Sequence, residues 1–525
     1  MPGEITLPHP TLRNVSIEWA IEGDDDLDGV VQVRYRTSGD GAWRQGMPLR
    51  RVPAGSTEGF DWGNKHSGSI FDLDPGVTYD VELWLEDPDG GCVIETRTVT
   101  TRAVPAFDGG NVVAVDPGSL GSALDGAAPG DVIELGPGSY GGFEMYVDGE
   151  PGSPIVIRGT EGAEIDGIAR IDGRRHVWLQ GLTVNGTIRF SDSESVVIRG
   201  NTVRSDEDGI ASWRRSEDAY IADNVVIGAT PWVESALGAD GENYGEGILV
   251  TGPGHVIEHN RVTGFRDNIS FVEGDGGFEQ FSLDVIENDI GEAGDDGVEA
   301  DFCFHNCRIM RNRLTNVFVA LSSQPSLGGP TYFIRNVIYN ACYIAAFKLH
   351  RGSIGDVALH NTIVKSGDAL AAVPGRTHDF TFFRNNLVIG GLGDDINGWG
   401  SGEGLVVNLP DSGEHSDYDY DGLGSTTGTF EGLIGEARFS SLAELRENTT
   451  EVHAVQIDLD VFAAAIPYPA DPFPEMDAPD LRLSDGSAAV DAAQPISNVN
   501  DGWQGGGPDL GAYELGGSIP DYGPR

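Results

Sequence analysis

The sequence predicts an all-β protein in which a right-handed parallel β-helix, residues 104–525, follows a small β-sandwich, residues 1–103. Three observations predict this fold. Asparagine recurs at intervals of 23 to 36 residues through the middle of the chain, short β-rich runs lie between glycine, asparagine and aspartate turns, and the runs show no helical period of apolar residues. Glycine, at 75 of 525 residues, is abundant enough to supply the many turns of such a fold.

The amino-terminal segment consists of short alternating runs. Apolar and polar residues alternate at 15–19, 31–35 and 79–84, and glycine, proline and aspartate separate these runs. A period of two bounded by turn residues is typical of a β-sandwich. Residues 73–79 resemble the loop and corner tyrosine of a fibronectin type III domain. The resemblance implies a spacer or docking module, and we expect no chemistry from it.

The asparagine repeat predicts that each coil carries one asparagine, at the equivalent turn of every coil. The repeated positions are Asn201, Asn224, Asn260, Asn288, Asn312, Asn336, Asn361 and Asn385. A period of about 20–30 residues corresponds to one unit of a solenoid, in which stacked neighbours bury a continuous core. Asparagine suits a repeated turn because it tolerates left-handed backbone and its amide can hydrogen-bond to the next asparagine. We therefore expect these residues to be structural.

The start of the predicted β-helix carries its own signature. Residues 120–128 predict a short helix that covers the open end, because an uncovered end would expose unpaired strand edges. The first strand is predicted at 131–135. This opening resembles that of right-handed β-helix polysaccharide enzymes, notably the chondroitinase B and alginate lyase family.

The carboxyl-terminal part of the chain is less regular. Residues 391–480 vary in character, and one helix is predicted within 440–449. Residues 481–491 and 508–514 resemble the closing segment of secreted β-helix proteins.

Charge and composition limit the possible partners. The formal net charge of −50 argues against nucleic acid and anionic membranes as general partners. No apolar run is long enough to span a membrane. Residues 1–4 are not a signal peptide, so the chain is either cytosolic or lacks a leader that was removed. The fold favours a secreted, cell-surface or periplasmic protein, and we expect a monomer. Cys303 and Cys307 predict buried thiols or one local disulfide rather than a metal site.

Aligning the strand of each coil produces three columns of residues. The first column contains Asp208, Glu246, Asp267 and Asp296. The second contains Leu249, Ser270, Glu299, Leu321 and Lys348, and the third contains Thr251, Val272, Asp301, Ser323 and His350. Equivalent residues of successive coils lie about 4.8 Å apart, so a column is a candidate site. Lys348, one of three lysines in the chain, is expected on the face that carries Glu299 and Asp301.

Clustered carboxylates repel one another unless a proton or cation lies between them. Asp296, Glu299 and Asp301 fall within one coil, and oxygen ligands alone favour Ca²⁺ over a transition metal. We therefore predict these three residues as ligands of Ca²⁺. The alternative is that they are solvated acids, like many others in this protein.

The same region suggests a polysaccharide lyase. Residues 299–301 resemble the calcium-ligand coil of the chondroitinase B and alginate lyase family, and residues 347–352 resemble its later coil, where a basic residue acts near the leaving group. The family's catalytic lysine, expected shortly after the acids, is missing here. The resemblance therefore implies that base, acid and carboxylate clamp come from other residues. The candidates are Lys348, His305, His350, Arg351 and Glu299.

Other functions remain open at this point. Residues 296–301 are also similar to an acidic coil of polygalacturonases, which implies hydrolysis by paired carboxyl groups. A uronate epimerase would use a similar proton abstraction. A non-catalytic β-helix could bind a glycan on exposed aromatic and arginine side chains. The candidate substrate-binding residues are Asp267, Arg266, Asp295, Trp213 and Tyr244. We favour a lyase that acts on a polysaccharide. The cationic side chains at the site would allow this substrate to be an acidic polysaccharide.

Overall fold

The computed structural model describes all residues from 1 to 525. Its amino-terminal part is a sandwich of two antiparallel sheets. The strands of the first sheet are, in order, Pro2–Thr6, Val15–Ile21, Lys65–Ile70 and Arg50–Val52. Those of the second are Gly91–Thr100, Thr78–Asp87, Val30–Thr37 and Arg44–Gln45. Alternate residues such as Ile17, Trp19 and Val81 are fully buried between the sheets, as the period of two predicts.

Two long parallel sheets form the rest of the molecule, which is a parallel β-helix, as predicted. The fourteen-stranded sheet contains Asn111–Val115, Asp131–Leu135, Ile155–Gly159, Val177–Gln180, Val197–Arg199, Tyr220–Ala222, Val256–Glu258, Asp284–Ile286, Cys307–Met310, Leu327–Ile334, Ser353–Leu359, Phe382–Arg384, Asp417–Asp419 and His378–Asp379. The eighteen-stranded sheet contains Gly138–Glu144, Ala163–Arg170, Thr183–Asn185, Ile188–Arg189, Thr202–Arg204, Ile210–Ala211, Val225–Ile227, Glu246–Val250, Arg261–Thr263, Asp267–Phe271, Asp289–Glu299, Arg313–Ser323, Val337–Ala341, Phe347–Leu349, Thr362–Val364, Leu387–Gly390, Gly422–Ser425 and Val455–Gln456. A core of 68 buried residues runs along the inside.

Smaller elements complete the chain. Short strands form a four-stranded sheet of Leu370–Ala371, Val407–Leu409, Gly432–Ile434 and Ala437–Phe439, and two hairpins, one of Gly55–Thr57 with Phe60–Trp62 and one of Asp395–Ile396 with Trp399–Gly400. Short 3₁₀ helices span Glu234–Ala236, Gly274–Gly276 and Leu459–Val461. None of the helices has the length and hydrophobicity that a membrane-spanning helix requires. Cys303 and Cys307 form a disulfide bond, the local pairing that was one of the two predicted alternatives.

The predicted asparagine ladder is present inside the coils. In each step the side-chain amide donates to the next side-chain oxygen at 2.8–3.0 Å, from Asn201 through to Asp421. The last asparagine is Asn386, so the prediction of Asn385 was wrong by one residue. Asn385 has a positive φ of 63° and turns outward, where it donates to the Gln494 carbonyl. Each ladder residue is buried, so its side-chain amide is satisfied within the protein, mainly by the neighbouring coils.

The two predicted helices are present but shorter. The first is Leu120–Asp125, which buries Leu120 and Leu124 over the first coil and ends at Gly126. The second is Leu442–Asn448, and its first turn is capped by the Ser441 side chain, which accepts a hydrogen bond from the backbone of Glu444. The predicted first strand, Asp131–Leu135, has the bounds that the sequence indicated.

Candidate functional site

The strand register brings Lys348 into line with Glu299. Ser270 pairs with Glu299, Glu299 pairs with Ser322, and Ser322 pairs with Lys348. The column predicted for Lys348 is therefore present, although Ser322 occupies the position predicted for Leu321. Leu321 instead pairs with Val298 and points into the core, where it is fully buried.

The other two columns are only partly as predicted. Glu246 and Asp267 are paired neighbours, as expected. Ser323 pairs with Leu349, so His350 lies one residue beyond the end of the third column. The His350 backbone nevertheless donates to the Ser323 carbonyl at 3.2 Å, which keeps the side chain beside the same sheet.

An open cleft of about 520 Å³ covers this part of the sheet. Eight of the predicted site residues line it, namely Trp213, Arg266, Asp267, Asp295, Glu299, Lys348, His350 and Arg351. Trp213 is 46% exposed at the cleft, and its indole nitrogen donates to Asp208 at 2.9 Å. The cleft therefore combines acidic, basic and aromatic side chains from several coils.

The carboxyl groups beneath the cleft form three overlapping groups. Single oxygens of Glu246, Asp267 and Glu299 lie within 4.8 Å of one another. The same limit holds for the group of Asp267, Asp295 and Asp296, and for the group of Glu273, Glu299 and Asp301. The structure therefore does not bring the three predicted ligands together as one centre, because Asp296 belongs to a different group from Glu299 and Asp301. The bulge between Ala293 and Asp296 gives Asp296 a direction that simple alternation does not predict.

Lys348 is the counter-ion of this cluster and is largely shielded from water. Its ammonium group forms an ion pair with the Asp296 carboxylate, which is fully buried. The second oxygen of Asp296 has no hydrogen-bond partner. Asp301 is similar, since one oxygen accepts from the Ser322 hydroxyl at 2.7 Å and the other is buried without a partner. Buried carboxylate oxygens without donors are costly, and a bound proton or cation would remove that cost.

Burial raises the pKa of five carboxyl groups of the cluster. The pKa values of Glu246 and Asp296 rise to about 7. Those of Asp267, Glu299 and Asp301 rise well above the usual range, because burial and neighbouring carboxylates both disfavour the charge.

The pKa of Lys348 is raised, which favours the protonated ammonium form. Burial alone would lower this pKa, but the nearby carboxylates, with Asp296 first, raise it well above its usual value. Lys348 therefore stays protonated at neutral pH.

The donor set of the cluster fits Ca²⁺. It offers carboxylate oxygens without thiolate or imidazole, the ligand type that hard cations prefer. One group is best placed to hold an ion that would also contact a molecule bound in the cleft. Its members are Glu246, Asp267 and Glu299, and all three line the cleft. The unpartnered oxygens of Asp296 and Asp301 are the observation in favour of positive charge at the cluster.

The remaining basic residues differ in their ion pairs and in their protonation. Arg266 lies 3.4 Å from Asp267 and 3.5 Å from Asp295, both measured from guanidinium nitrogen to carboxylate oxygen. Arg351 has no carboxylate within ion-pair distance. Burial, followed by the charge of Arg376, lowers the pKa of His350 to about 4, so its imidazole is neutral at neutral pH.

No family model matches the sequence, and no curated protein matches it. Among solved structures, the chain is similar to a PL6 family alginate lyase, AlyGC, at 14% identity and a TM-score of 0.37, over 72% of this chain and 60% of that one. The chain therefore spans about three fifths of that lyase. It is also similar to a family 28 exopolygalacturonase of Yersinia enterocolitica, at 11% identity and a TM-score of 0.31, over 83% of this chain and 98% of that one. Both similarities concern the fold.

Four predicted site residues do not line the cleft: Asp296 and Asp301 are fully buried, and His305 and Tyr244 lie elsewhere. His305 is buried under the amino-terminal sandwich, 3.2 Å from Glu18 and stacked on Phe281 with ring centroids 4.7 Å apart. The structure therefore does not bring His305 to the cleft, where a base or acid would be needed. Tyr244 is 55% exposed and does not line the cleft, although its carbonyl accepts from the Arg266 backbone at 3.0 Å.

Two further residues of the cleft, Glu246 and Trp399, were not among the predicted site residues. Glu246 belongs to the first aligned column but was not predicted as a site residue. One of its carboxylate oxygens accepts a hydrogen bond from the Ser270 hydroxyl at 2.8 Å. Trp399 comes from the irregular segment and packs against Phe318 and Tyr343 at 6.3 and 5.9 Å between ring centroids. No local pattern marks Trp399. The only signal was the unusual length of the coil that contains it.

Proposed function

We propose that this protein is an extracellular enzyme that cleaves a uronate-containing polysaccharide by β-elimination in this cleft. The observation that carries the proposal is the meeting of a buried carboxylate cluster with three basic side chains, Lys348, His350 and Arg351, from one short segment. A lyase needs positive charge at the substrate carboxylate, a base for the proton beside it and an acid for the leaving oxygen.

The substrate carboxylate has two candidate partners. Glu246, Asp267 and Glu299 would hold Ca²⁺, which would supply the charge that makes the proton beside the carboxylate acidic. Arg351 has no acidic partner in the protein, so its planar guanidinium is available to bind a carboxylate through two hydrogen bonds.

Proton transfer is assigned by protonation state. His350 is neutral at neutral pH, so its imidazole can accept the substrate proton. Lys348 is unsuited as a base because its nearby carboxylates hold its proton, and its role is to stabilise negative charge. Tyr343 lines the cleft, and burial raises the pKa of its phenol, so it remains protonated and is our candidate donor to the leaving oxygen.

A second candidate function is hydrolysis of a glycosidic bond. The supporting observation is that the pKa of Glu246 rises to about 7 beside carboxyl groups of its own cluster. One protonated and one ionised carboxyl group is the combination that glycoside hydrolases use.

One experiment separates these candidates. The protein is incubated with calcium and a panel of uronate polymers, and the ultraviolet absorbance of the unsaturated product is followed together with reducing ends. Both signals should rise for at least one polymer, and Glu299→Gln should abolish them, whereas Glu161→Gln, on an exposed turn far from the cleft, should not. New reducing ends without the absorbance would overturn elimination and favour hydrolysis. Neither signal, with the polymer retained, would indicate a binding protein.

A further inference from the structure

The hairpin of the amino-terminal sandwich, Gly55–Thr57 with Phe60–Trp62, reaches the β-helix at Arg351, a residue that lines the cleft. The Thr57 hydroxyl donates to the Arg351 carbonyl at 3.1 Å. No other donor serves this carbonyl. Arg351 has a positive φ of 53°, a conformation that non-glycine residues rarely adopt without support from their surroundings.

Aromatic packing fixes this hairpin in place. Phe60 meets Phe302 and Phe304 edge-on, with ring centroids 5.6 and 5.5 Å apart. Trp62 is 8% exposed and covers Gly328, where an added Cβ would lie 2.7 Å from the indole. The hairpin is therefore held from both sides of its turn by residues of the β-helix.

Buried charges fix the rest of the sandwich against the same coils. Arg308 is fully buried, pairs with Asp284 of the β-helix and donates to Ser16 and Ser69 of the sandwich at 2.9 and 3.1 Å. The charged guanidinium therefore links the two parts through hydrogen bonds that are shielded from water. The sandwich is therefore a rigid neighbour of the cleft.

We propose that the sandwich is part of the catalytic unit and that Thr57 is a positioning residue for the reaction proposed above. By holding the Arg351 carbonyl, Thr57 fixes the direction in which the backbone leaves the strand Phe347–Leu349. The side chains of both His350 and Arg351 depend on that direction. A small displacement of a base and a carboxylate clamp is enough to slow a reaction severely.

The test compares three variants of the full-length protein. Thr57→Val keeps the shape of the side chain and removes its hydroxyl, Thr57→Ser restores the hydroxyl, and Ser56→Ala changes the exposed neighbour in the same strand. We expect Thr57→Val to lower kcat and to raise KM for the cleaved uronate polymer, with about a tenfold loss of kcat/KM and an unchanged thermal midpoint. Thr57→Ser and Ser56→Ala should behave like the wild type. Unchanged kcat/KM in Thr57→Val would overturn the proposal.

Hydrogen exchange gives a readout that needs no activity. Thr57→Val should increase amide exchange in peptides that cover residues 350–354, and Ser56→Ala should leave it unchanged. If the wild-type protein cleaves no uronate polymer, the proposed function fails while this measurement still decides the contact. Exchange that stays at the wild-type level in Thr57→Val would overturn the positioning role.

Discussion

The ammonium group of Lys348, at the floor of the cleft, is paired with the carboxylate of Asp296, which is fully buried beneath it. The two residues are 52 positions apart in the chain. The pair neutralises one charge of a cluster that contains more carboxyl groups than cations, and the stability of the cluster should therefore depend on it.

Replacing Lys348 by methionine should leave Asp296 buried without a counter-ion. We expect a loss of about 3–5 kcal/mol in the free energy of unfolding at pH 8. The loss should be smaller at pH 5, because the carboxyl group, with its pKa already raised to about 7 by burial, is then protonated. Urea denaturation at both pH values measures this. The double variant Lys348→Met, Asp296→Asn should recover most of the loss, and no recovery would contradict the pairing.

Calcium should stabilise the protein more at pH 8 than at pH 5. The raised pKa values of Glu246 and Asp296 mean that their contribution to stability is present at low pH and is lost as the pH rises through about 7. A cation binds the ionised carboxylates and reverses this loss, by about 2.7 kcal/mol at a hundredfold excess over Kd. Thermal unfolding with calcium or a chelator measures the shift. Glu299→Gln should reduce it, the exposed control Glu161→Gln should not, and equal shifts at both pH values would argue against the site.

The end of the asparagine ladder should be sensitive to pH. Burial raises the pKa of Asp421 to about 6 and that of Glu451 well above its usual value, and both oxygens of Glu451 lack partners. Raised acid pKa values stabilise the folded state at low pH, and this stability is lost as the pH rises through and above about 6.

Glu451→Gln should weaken this pH dependence, because an amide can donate to Asp421 at any pH. We expect the difference in unfolding free energy between pH 5 and pH 8 to shrink by about 2 kcal/mol. The helix variant Glu447→Gln, with an exposed side chain, should leave it unchanged. An identical pH dependence in Glu451→Gln and the wild type would contradict this role of Glu451.

Trp213 should contribute to binding without contributing to stability. Its side chain is 46% exposed at the cleft. We expect Trp213→Ala to raise KM about tenfold with little change in kcat, which is the pattern of lost uniform binding. Trp84→Ala, at a 43% exposed position on the sandwich, should change neither constant. An unaltered KM in Trp213→Ala would remove this residue from the binding surface.

The coils were predictable because their signal is local and repeated. One asparagine at each turn and one apolar strand in each coil define the ladder and the core, and register alone then aligns Glu299 with Lys348. The error at Asn385 arose because two asparagines are adjacent and only the backbone conformation decides which one turns inward.

The rest depended on contacts between distant parts of the chain. His305 appeared well placed because it closely follows Asp301 in sequence. However, positive φ values at Phe302 and Asn306 turn this segment toward Glu18 of the sandwich. Trp399 reaches the cleft only because its hairpin folds back over the coils. Neither contact has a periodic signal, so the sequence could predict the acidic face but not all of its walls.

The spacing of the asparagine ladder is unequal. The buried ladder maintains the fold, whereas the additional residues of the longer coils shape the binding surface. Most steps span 23 to 28 residues, but two span 36 and 35. The extra lengths of these two coils meet beside the cleft, where Asn397 donates to the Leu237 carbonyl at 2.9 Å. An insertion at this corner leaves the buried amides in register. The walls of the cleft can therefore diverge rapidly between related proteins, with a new specificity acquired by loop exchange while the scaffold is inherited unchanged.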